Sequence, residues 1–355
     1  MKNRITSLDL LKILAIFLIV SFHASFKGIP APVANNLNWF NQILYFLFYH
    51  FGELGVNLFM LITGFFLVNS RKVHWSKIIK FIIDVYFFSL ISVLFCIIMN
   101  KYVFHIKDLF PITFSYYWYI TGYLIIYILS PFINRFIKCL SHKDFFRFLF
   151  ILFVILSLIP TLASFITGNT EELGFYNRFT WLLFIYLVGC YLSIYRHQTK
   201  IMIYSVKEQL LILLKILITI ISFAIFAYFA KINTGLFSLP VTLFWGPNSI
   251  VMFFMSLSIF ALFYHLKIPN NKLISVISES TLSVYLLHEH PKFLFILWLN
   301  IFSLPSFYYS KKLFLVILGA SLLVILAGVI MHHIKKYTFD KFINCILAKI
   351  GVIKQ

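Results

Sequence analysis

Long apolar runs alternate with short polar segments along the whole chain. Most runs are roughly twenty residues long, the length that an α-helix needs to cross the hydrocarbon core of a bilayer. The pattern predicts an all-α, polytopic membrane protein in which residues 1–355 form a single domain of about ten transmembrane helices. The predicted spans are 8–26, 48–69, 78–99, 115–134, 145–167, 178–195, 209–230, 248–266, 281–300 and 312–333. We expect no soluble domain before or after them.

The composition supports a membrane protein and argues against a nucleic-acid-binding one. The chain is 61% hydrophobic and only 12% charged, with a net charge of +19, whereas a soluble domain needs a larger polar surface. The Lys and Arg residues lie between the apolar runs rather than on one soluble face, so we expect the bilayer and no nucleic acid as partner. The four cysteines form no CxxC pair, which predicts neither a disulfide framework nor a zinc site.

The basic residues also predict the orientation of the chain in the membrane. They collect at both termini and in alternate loops, and the loops between them hold few. By the positive-inside rule, both termini are expected in the cytoplasm. The first apolar run contains Lys12 and no clean cleavage site, so we interpret it as a span rather than as a signal peptide.

Ionisable residues inside the apolar runs are the main functional candidates, because a charge at bilayer depth is costly. Lys12 and His23 lie eleven positions apart, close to three helical turns, so both are expected on one face, roughly 16 Å apart along the axis. Lys12 would lie near the inner surface and His23 in the outer half. The alternative is that Lys12 snorkels to the interface and that His23 makes a structural helix contact.

The second span carries one carboxylate among several small residues. Glu53 is expected at a depth similar to that of His23, where it would orient the imidazole and stabilise its protonated form. The alternative is an interfacial, solvated Glu53. Gly52, Gly55 and Gly64 are expected to let a neighbouring helix approach closely.

The ninth span places Tyr285, His288, Glu289 and His290 within an apolar helix, and Pro291 is expected to break or kink it. Such a helix is expected to line a cavity rather than to face lipid. His288 and His290 point to different faces, so a metal site is not predicted.

Two further groups have both a functional and a structural interpretation. Four basic residues after the second span would hold the phosphates of a nucleotide cofactor, or would serve as positive-inside anchors; they are Arg71, Lys72, Lys77 and Lys80. Trp118 and Tyr119 would stack on a sugar ring, or would belong to an interfacial aromatic belt.

Taken together, these segments resemble the acyltransferase-3 family of integral membrane acyltransferases, over nearly the whole chain. Five features carry the resemblance through their order and spacing. They are Lys12 followed by ten residues and His23, the segment Gly55–Phe65, the basic pair Lys77 and Lys80, the segment Trp118–Pro131, and the segment Thr281–Pro291 with Tyr285 and His288.

The resemblance implies a fold of about ten helices and the transfer of an acyl group, usually acetyl, from cytosolic acyl-CoA to an acceptor at the outer face. It implies that His23 is the catalytic base or acyl relay. From the depth argument above, Glu53 is expected to orient the imidazole. The acyl group would pass directly to the acceptor or rest first on His23 or Tyr285, and Tyr285 or His288 would instead hydrogen-bond the thioester oxyanion. Acetyl-CoA is the expected donor and no metal is expected. The residues expected to serve the CoA end are Lys12, Lys77, Lys80, Arg71 and Lys72.

The sequence departs from the family pattern in one respect and matches one branch in others. The family's basic pair is typically Arg-x-x-Arg, and Lys77 and Lys80 lose its bidentate geometry. The lack of an extra esterase-like domain, together with Asn57 and the ending Leu129–Asn134, resembles the exopolysaccharide and capsule branch of low-GC Gram-positive bacteria. We therefore expect a multi-pass protein of a bacterial plasma membrane, acting on a surface polysaccharide or a lipid-linked sugar through Asn57, Trp118 and Tyr119.

Two other classes of protein fit part of the pattern. A transporter or flippase for a lipid-linked sugar would line its pathway with the same intramembrane charges. It would move an unchanged substrate, whereas an acyltransferase binds CoA and adds one acyl unit. A catalytically inactive partner protein is the third possibility, and the intact His23 and Tyr285–His288 segments argue against it.

Overall fold

The chain is helical throughout the part that the computed structural model describes, namely residues 5–34, 36–114, 116–167, 177–234, 248–341 and 343–344. No β-strand occurs within these residues, which confirms the all-α prediction. Five of the described helices are long and apolar enough to cross a membrane: Thr6–Gly28, Trp75–Ile98, Trp118–Lys138, His142–Ala163 and Leu313–Lys341. Shorter apolar helices lie at Gly52–Leu67, Arg178–Ile194 and Ile250–His265. That the chain has about ten transmembrane helices stays a prediction.

The described helices overlap the predicted spans along the chain, with two spans divided and one helix beginning earlier than predicted. In order, they are α1 (Thr6–Gly28), α2 (Ala31–Ala34), α3 (Trp39–Leu67), α4 (Trp75–Ile98), α5 (Trp118–Lys138), α6 (His142–Phe153), α7 (Ile159–Thr167), α8 (Arg178–Ile194), α9 (Lys200–Ile203), α10 (Val206–Thr234), α11 (Ile250–His265), α12 (Lys272–Glu279), α13 (Thr281–Glu289), α14 (Phe293–Phe295) and α15 (Leu313–Tyr337). A π-helical turn, Val154–Leu158, joins α6 to α7.

The predicted ninth span is not one continuous helix. Helix α13 ends at Glu289, His290 caps it, and α14 begins two residues after Pro291. Proline has no backbone N–H and its ring clashes with the preceding turn, so a helix cannot continue through it without a kink or a break. The break predicted at Pro291 is confirmed, and it leaves the last turn of α13 free to point at α1.

Helix α1 lies at the centre of the fold. It contacts α3, α11, α12, α13 and α15, so its polar side chains face other helices rather than lipid. His23 is only 7% exposed, and Lys12 is partly buried. Because a charged or polar group in the bilayer must find protein partners, this central position accounts for the polar residues of an otherwise apolar helix.

Glycines in α3 allow its neighbours to approach closely. A Cβ atom at Gly55 would overlap the backbone of α1 at Ala15, and one at Gly64 would overlap the backbone of α8 at Tyr186. Gly52 faces an aromatic ring of α1. The predicted role of these three glycines in helix contact is confirmed, and it brings α1 and α3 together around the site described below.

The loop before α5 is organised by one buried carboxylate. Asp108 accepts hydrogen bonds from the phenols of Tyr102 (3.1 Å) and Tyr116 (3.0 Å) and from the backbone N–H of His105 (2.8 Å). Burial and, as a smaller contribution, the hydrogen bond to Asp108 raise the pKa of the Tyr102 phenol to about 12. The phenol therefore stays protonated and donates its hydrogen bond at neutral pH. The ring of Tyr116 in turn contacts the ring of His290, where α13 ends.

Candidate active site

Two histidines and a carboxylate meet where α1 passes the end of α13. Nδ1 of His23 lies 3.0 Å from Nε2 of His288 and 2.9 Å from Oε2 of Glu289. His23 and His288 are both buried, and Glu289 is mostly so. The cluster thus joins the central helix to the broken one inside the protein.

The hydrogen bonds of the cluster determine which nitrogen of His23 carries a proton. Nδ1 of His288 lies 2.6 Å from the carbonyl oxygen of Val284, which can only accept, so this nitrogen carries the proton and Nε2 of the neutral ring is an acceptor. His23 must then donate from Nδ1 to His288 Nε2, and the Glu289 carboxylate lies against the same nitrogen at 2.9 Å. Its Nε2 therefore carries a lone pair, and no hydrogen bond of the described residues uses it. An imidazole in this tautomer is suited to act as a general base.

This cluster borders a cavity of about 200 Å³, which we call the His23 cavity. Its lining contains both charges and aromatic rings, and the guanidinium of Arg178 lies over the Trp118 ring at 4.7 Å from the ring centre. The lining residues are Ile19, Phe22, His23, Phe26, Lys27, Gly52, Glu53, Val56, Trp118, Arg178, Tyr285 and Glu289.

A second cavity, of about 350 Å³, lies further towards the N-terminus of α1, and we call it the Lys12 cavity. Lys12 is held there by an ion pair, with its Nζ 3.0 Å from Oδ1 of Asp9, and Asp9 also accepts a hydrogen bond from the Ser278 hydroxyl at 2.9 Å. The lining residues are Lys12, Ile19, Phe59, Thr63, Phe81, Tyr119, Ile120, Tyr123, Ser278, Thr281, Leu282 and Tyr285.

Ile19 and Tyr285 line both cavities, and we call this pair of side chains, where the two cavities meet, the partition. They are 4% and 6% exposed. The Tyr285 hydroxyl is buried and has no hydrogen-bond partner among the described residues, an arrangement that costs free energy unless a ligand supplies the missing partner. Its ring is held between the rings of Tyr119 and His288.

The structure brings together most of the residues predicted for catalysis. His23, Tyr285 and Glu53 line the His23 cavity, and His288 contacts His23. Glu53 was expected to orient the imidazole, but within the described residues the carboxylate at hydrogen-bonding distance from His23 belongs to Glu289. From the sequence, Glu289 was expected inside an apolar helix, and no role was predicted for it.

The predicted substrate-binding residues fall in three different places. Trp118 lines the His23 cavity, whereas Tyr119 lines the Lys12 cavity. Asn57 is buried between helices, where its side chain donates to Ser256 (3.3 Å) and accepts from the Trp181 indole (2.9 Å). It lines neither cavity, so its contacts are those of a residue that joins α3, α8 and α11.

The basic residues assigned to the CoA end are also divided. Lys12 lies in its cavity, whereas Arg71 and Lys72, between α3 and α4, and Lys77 and Lys80, in the first turns of α4, are exposed at the surface. Phe81 lines the Lys12 cavity and directly follows Lys80. The exposed cations therefore lie beside the helix that forms one wall of this cavity.

The histidine cluster is also a possible donor set for a metal ion. The nearest ligand atoms of His23, His288 and Glu289 all lie within 4.8 Å of one another, and imidazole and carboxylate are common ligands of divalent metals. The hydrogen bond between the two histidines uses two of these atoms without a metal, whereas Oε2 of Glu289 is buried and has no hydrogen-bond partner among the described residues. That the reaction uses no metal stays a prediction.

The fold and the site define a class of protein: a helical membrane protein with a buried, hydrogen-bonded histidine at the wall of an internal cavity. Comparison with protein families identifies it further, because residues 5–336 match the family described as "Acyltransferase domain", the acyltransferase-3 family. The chain belongs to this family and is a membrane acyltransferase. No curated protein and no solved structure matches it.

Proposed function

We propose that this protein is an O-acyltransferase that moves an acyl group, acetyl in the first instance, from cytosolic acyl-CoA to a hydroxyl of a surface polysaccharide or of its lipid-linked precursor. The observation that carries the proposal is the placement of His23. Its Nδ1 is hydrogen-bonded to His288 and lies against the Glu289 carboxylate, and its ring borders a cavity that meets a second one at Ile19 and Tyr285. One base therefore has access to the point where two substrates from opposite sides would meet.

In the proposed reaction, His23 acts as a general base and then as a general acid. The acceptor hydroxyl attacks the thioester carbon while its proton moves to Nε2 of His23. The tetrahedral intermediate collapses, the C–S bond breaks, and the proton passes from His23 to the CoA thiolate. One C–O bond replaces one C–S bond without net proton uptake. Glu289 stabilises the imidazolium that forms, as the carboxylate of a catalytic triad does.

The Lys12 cavity supports entry of the donor. In the predicted orientation it lies on the cytoplasmic side, and Lys12 provides a cation at its wall. The exposed Lys77 and Lys80 near the start of α4 would add charges for the CoA phosphates as the cofactor docks. The thioester then reaches the partition, where the Tyr285 hydroxyl lacks a partner and is suited to hydrogen-bond the oxyanion.

The His23 cavity supports binding of the acceptor. Aromatic rings and charged groups alternate along its wall, and this combination suits sugars, which present apolar ring faces and hydroxyl edges. Trp118 would provide a ring face, while Arg178 and Lys27 would provide hydrogen-bond donors at the wall. Direct transfer to the hydroxyl needs no further residue.

The test is the O-acetyl content of the surface polysaccharide in cells that carry the wild-type protein, a deletion, or His23→Ala at a membrane level matched by immunoblot. We expect loss of O-acetyl in both the deletion and His23→Ala. His333→Ala is a matched control, because this histidine of α15 bonds only its own helix at Val329 (2.8 Å) and lines neither cavity. It should retain acetylation.

Loss of the polysaccharide itself in the deletion, with unchanged acetylation in His23→Ala, would overturn the proposal. That result would favour the transporter or flippase for a lipid-linked sugar, because such a protein delivers the polymer's precursor and needs no base at His23.

A further inference from the structure

We propose that Ile19 sets the size of the acyl group that the enzyme transfers, by filling the space at the partition where the acyl chain must lie. The inference rests on the proposed function and adds to it a specificity-determining residue for the donor.

The position of Ile19 follows from the two cavities. Within the described part of the chain, only Ile19 and Tyr285 line both of them. A thioester that enters through the Lys12 cavity can meet a hydroxyl in the His23 cavity only between these two side chains. Reacting atoms must approach to about 3–3.5 Å, so the acyl carbon has to lie against the partition when His23 removes the proton.

Ile19 is also fixed in place. A Cβ atom at Gly55 of α3 would lie only 2.8 Å from Cγ1 of Ile19, so the side chain rests against the backbone of the facing helix. On the other side of the partition, Tyr285 is held by aromatic contacts with Tyr117 and Tyr119, at 6.2 and 6.0 Å between ring centres. Because neither wall can withdraw easily, the space for the acyl chain has a fixed upper size.

The chemistry of the lining agrees with such a role. Ile19 is β-branched and therefore restricted at χ1, which makes it a rigid wall, whereas Tyr285 presents a polar hydroxyl. The hydroxyl is suited to the thioester oxygen and the isoleucine to the methyl end. An acetyl group then fits against Ile19. Each CH₂ that lengthens the acyl chain has to displace the Ile19 side chain.

The experiment measures donor selectivity in membranes that contain the wild-type protein, Ile19→Ala or Ile19→Val. Radiolabelled acetyl-, propionyl- and butyryl-CoA are supplied in turn, and alkali-labile acyl esters are counted in the polysaccharide and lipid fractions. One methylene group in an apolar pocket changes discrimination by about 10- to 200-fold. We expect Ile19→Ala to raise the butyryl-to-acetyl ratio at least about tenfold, and Ile19→Val to raise the propionyl-to-acetyl ratio more than the butyryl ratio.

Ile16→Ala is the matched control. Ile16 lies one turn earlier in α1, is fully buried, and lines neither cavity, so its truncation carries a comparable packing loss without opening the partition. The butyryl-to-acetyl ratio of Ile16→Ala should equal that of the wild type.

The outcomes separate this inference from the proposed function. If the wild-type protein transfers acetyl but both Ile19 variants keep the wild-type ratio, Ile19 is not the determinant and the inference is overturned. If Ile19→Ala does not accumulate in the membranes, the ratio of Ile19→Val decides alone. If the wild-type protein transfers no acyl group from any of the three donors, the proposed function fails instead.

Discussion

The close contact between Glu289 and His23 predicts how strongly catalysis depends on one carboxylate. In Glu289→Gln the shape of the side chain is kept and its charge is removed. When His23 takes the proton, the contact at 2.9 Å joins two opposite charges, and a polar contact of a charged group contributes about 1.5–3 kcal/mol, whereas a neutral one contributes about 0.5–1.5 kcal/mol. The difference of about 1–2 kcal/mol lies in the transition state and corresponds to a loss of about 5- to 30-fold in kcat.

The loss should stay within that range because the tautomer of His23 is preserved. His288 still accepts from Nδ1 at 3.0 Å, so Nε2 keeps its lone pair after Glu289 is neutralised. In a triad where the carboxylate is the sole partner of the histidine, the corresponding amide substitution reverses the tautomer and costs about 10⁴-fold. A loss of that size here would show that His288 does not orient the ring.

The assay uses purified protein in lipid nanodiscs with radiolabelled acetyl-CoA and deacetylated surface polysaccharide, and it separates kcat from the KM for acetyl-CoA. Glu53→Gln is the control, because it makes the same substitution in the lining of the same cavity but removes no described close contact with His23. We expect it to lower kcat by less than about threefold. An equal or larger loss in Glu53→Gln than in Glu289→Gln would refute the reasoning.

Three further predictions concern packing, the donor and the loop before α5. Gly64→Ala should destabilise the protein by about 1–3 kcal/mol, because its Cβ would overlap the backbone at Tyr186, whereas Gly319→Ala, with no atom within 4 Å, should leave the Tm in detergent unchanged. Lys12→Met should raise the KM for acetyl-CoA by about 5- to 30-fold with little change in kcat, since it removes one cation from the donor cavity. Asp108→Asn should increase proteolytic cleavage of its loop, because a neutral amide is a weaker acceptor for two phenols; unchanged cleavage would contradict this.

The arrangement of α1 was predictable from sequence because it depends on one helix alone. The spacing of Lys12 and His23 follows from the rise and turn of an α-helix, and the cost of intramembrane charges marks both as functional candidates. Close helix contacts at Gly55 and Gly64 were predictable for a similar reason, since small residues permit them wherever they occur.

The partner of His23 was not predictable in the same way. Their expected depth in the membrane placed Glu53 at the same level as His23. Depth alone does not tell which side of one helix faces which neighbouring helix. Neighbouring positions on a helix point about 100° apart, so His288 and Glu289 would not be expected to reach the same atom. They do so because α13 ends at Glu289, just before Pro291, and its last turn points at α1. The double role of Ile19 was likewise invisible, because an isoleucine in an apolar run carries no signal of its own.

A closed partition is also what transfer between two compartments requires. CoA carries several charges and cannot follow its acyl group across a bilayer, so only the thioester end needs to reach the other side. A continuous polar channel would let water attack the thioester and let ions leak. In the proposed reaction, Ile19 and Tyr285, which line both cavities, would keep the donor and the acceptor each on its own side. The acyl carbon would then be the one group that both substrates share, and His23 would need to act only at that point.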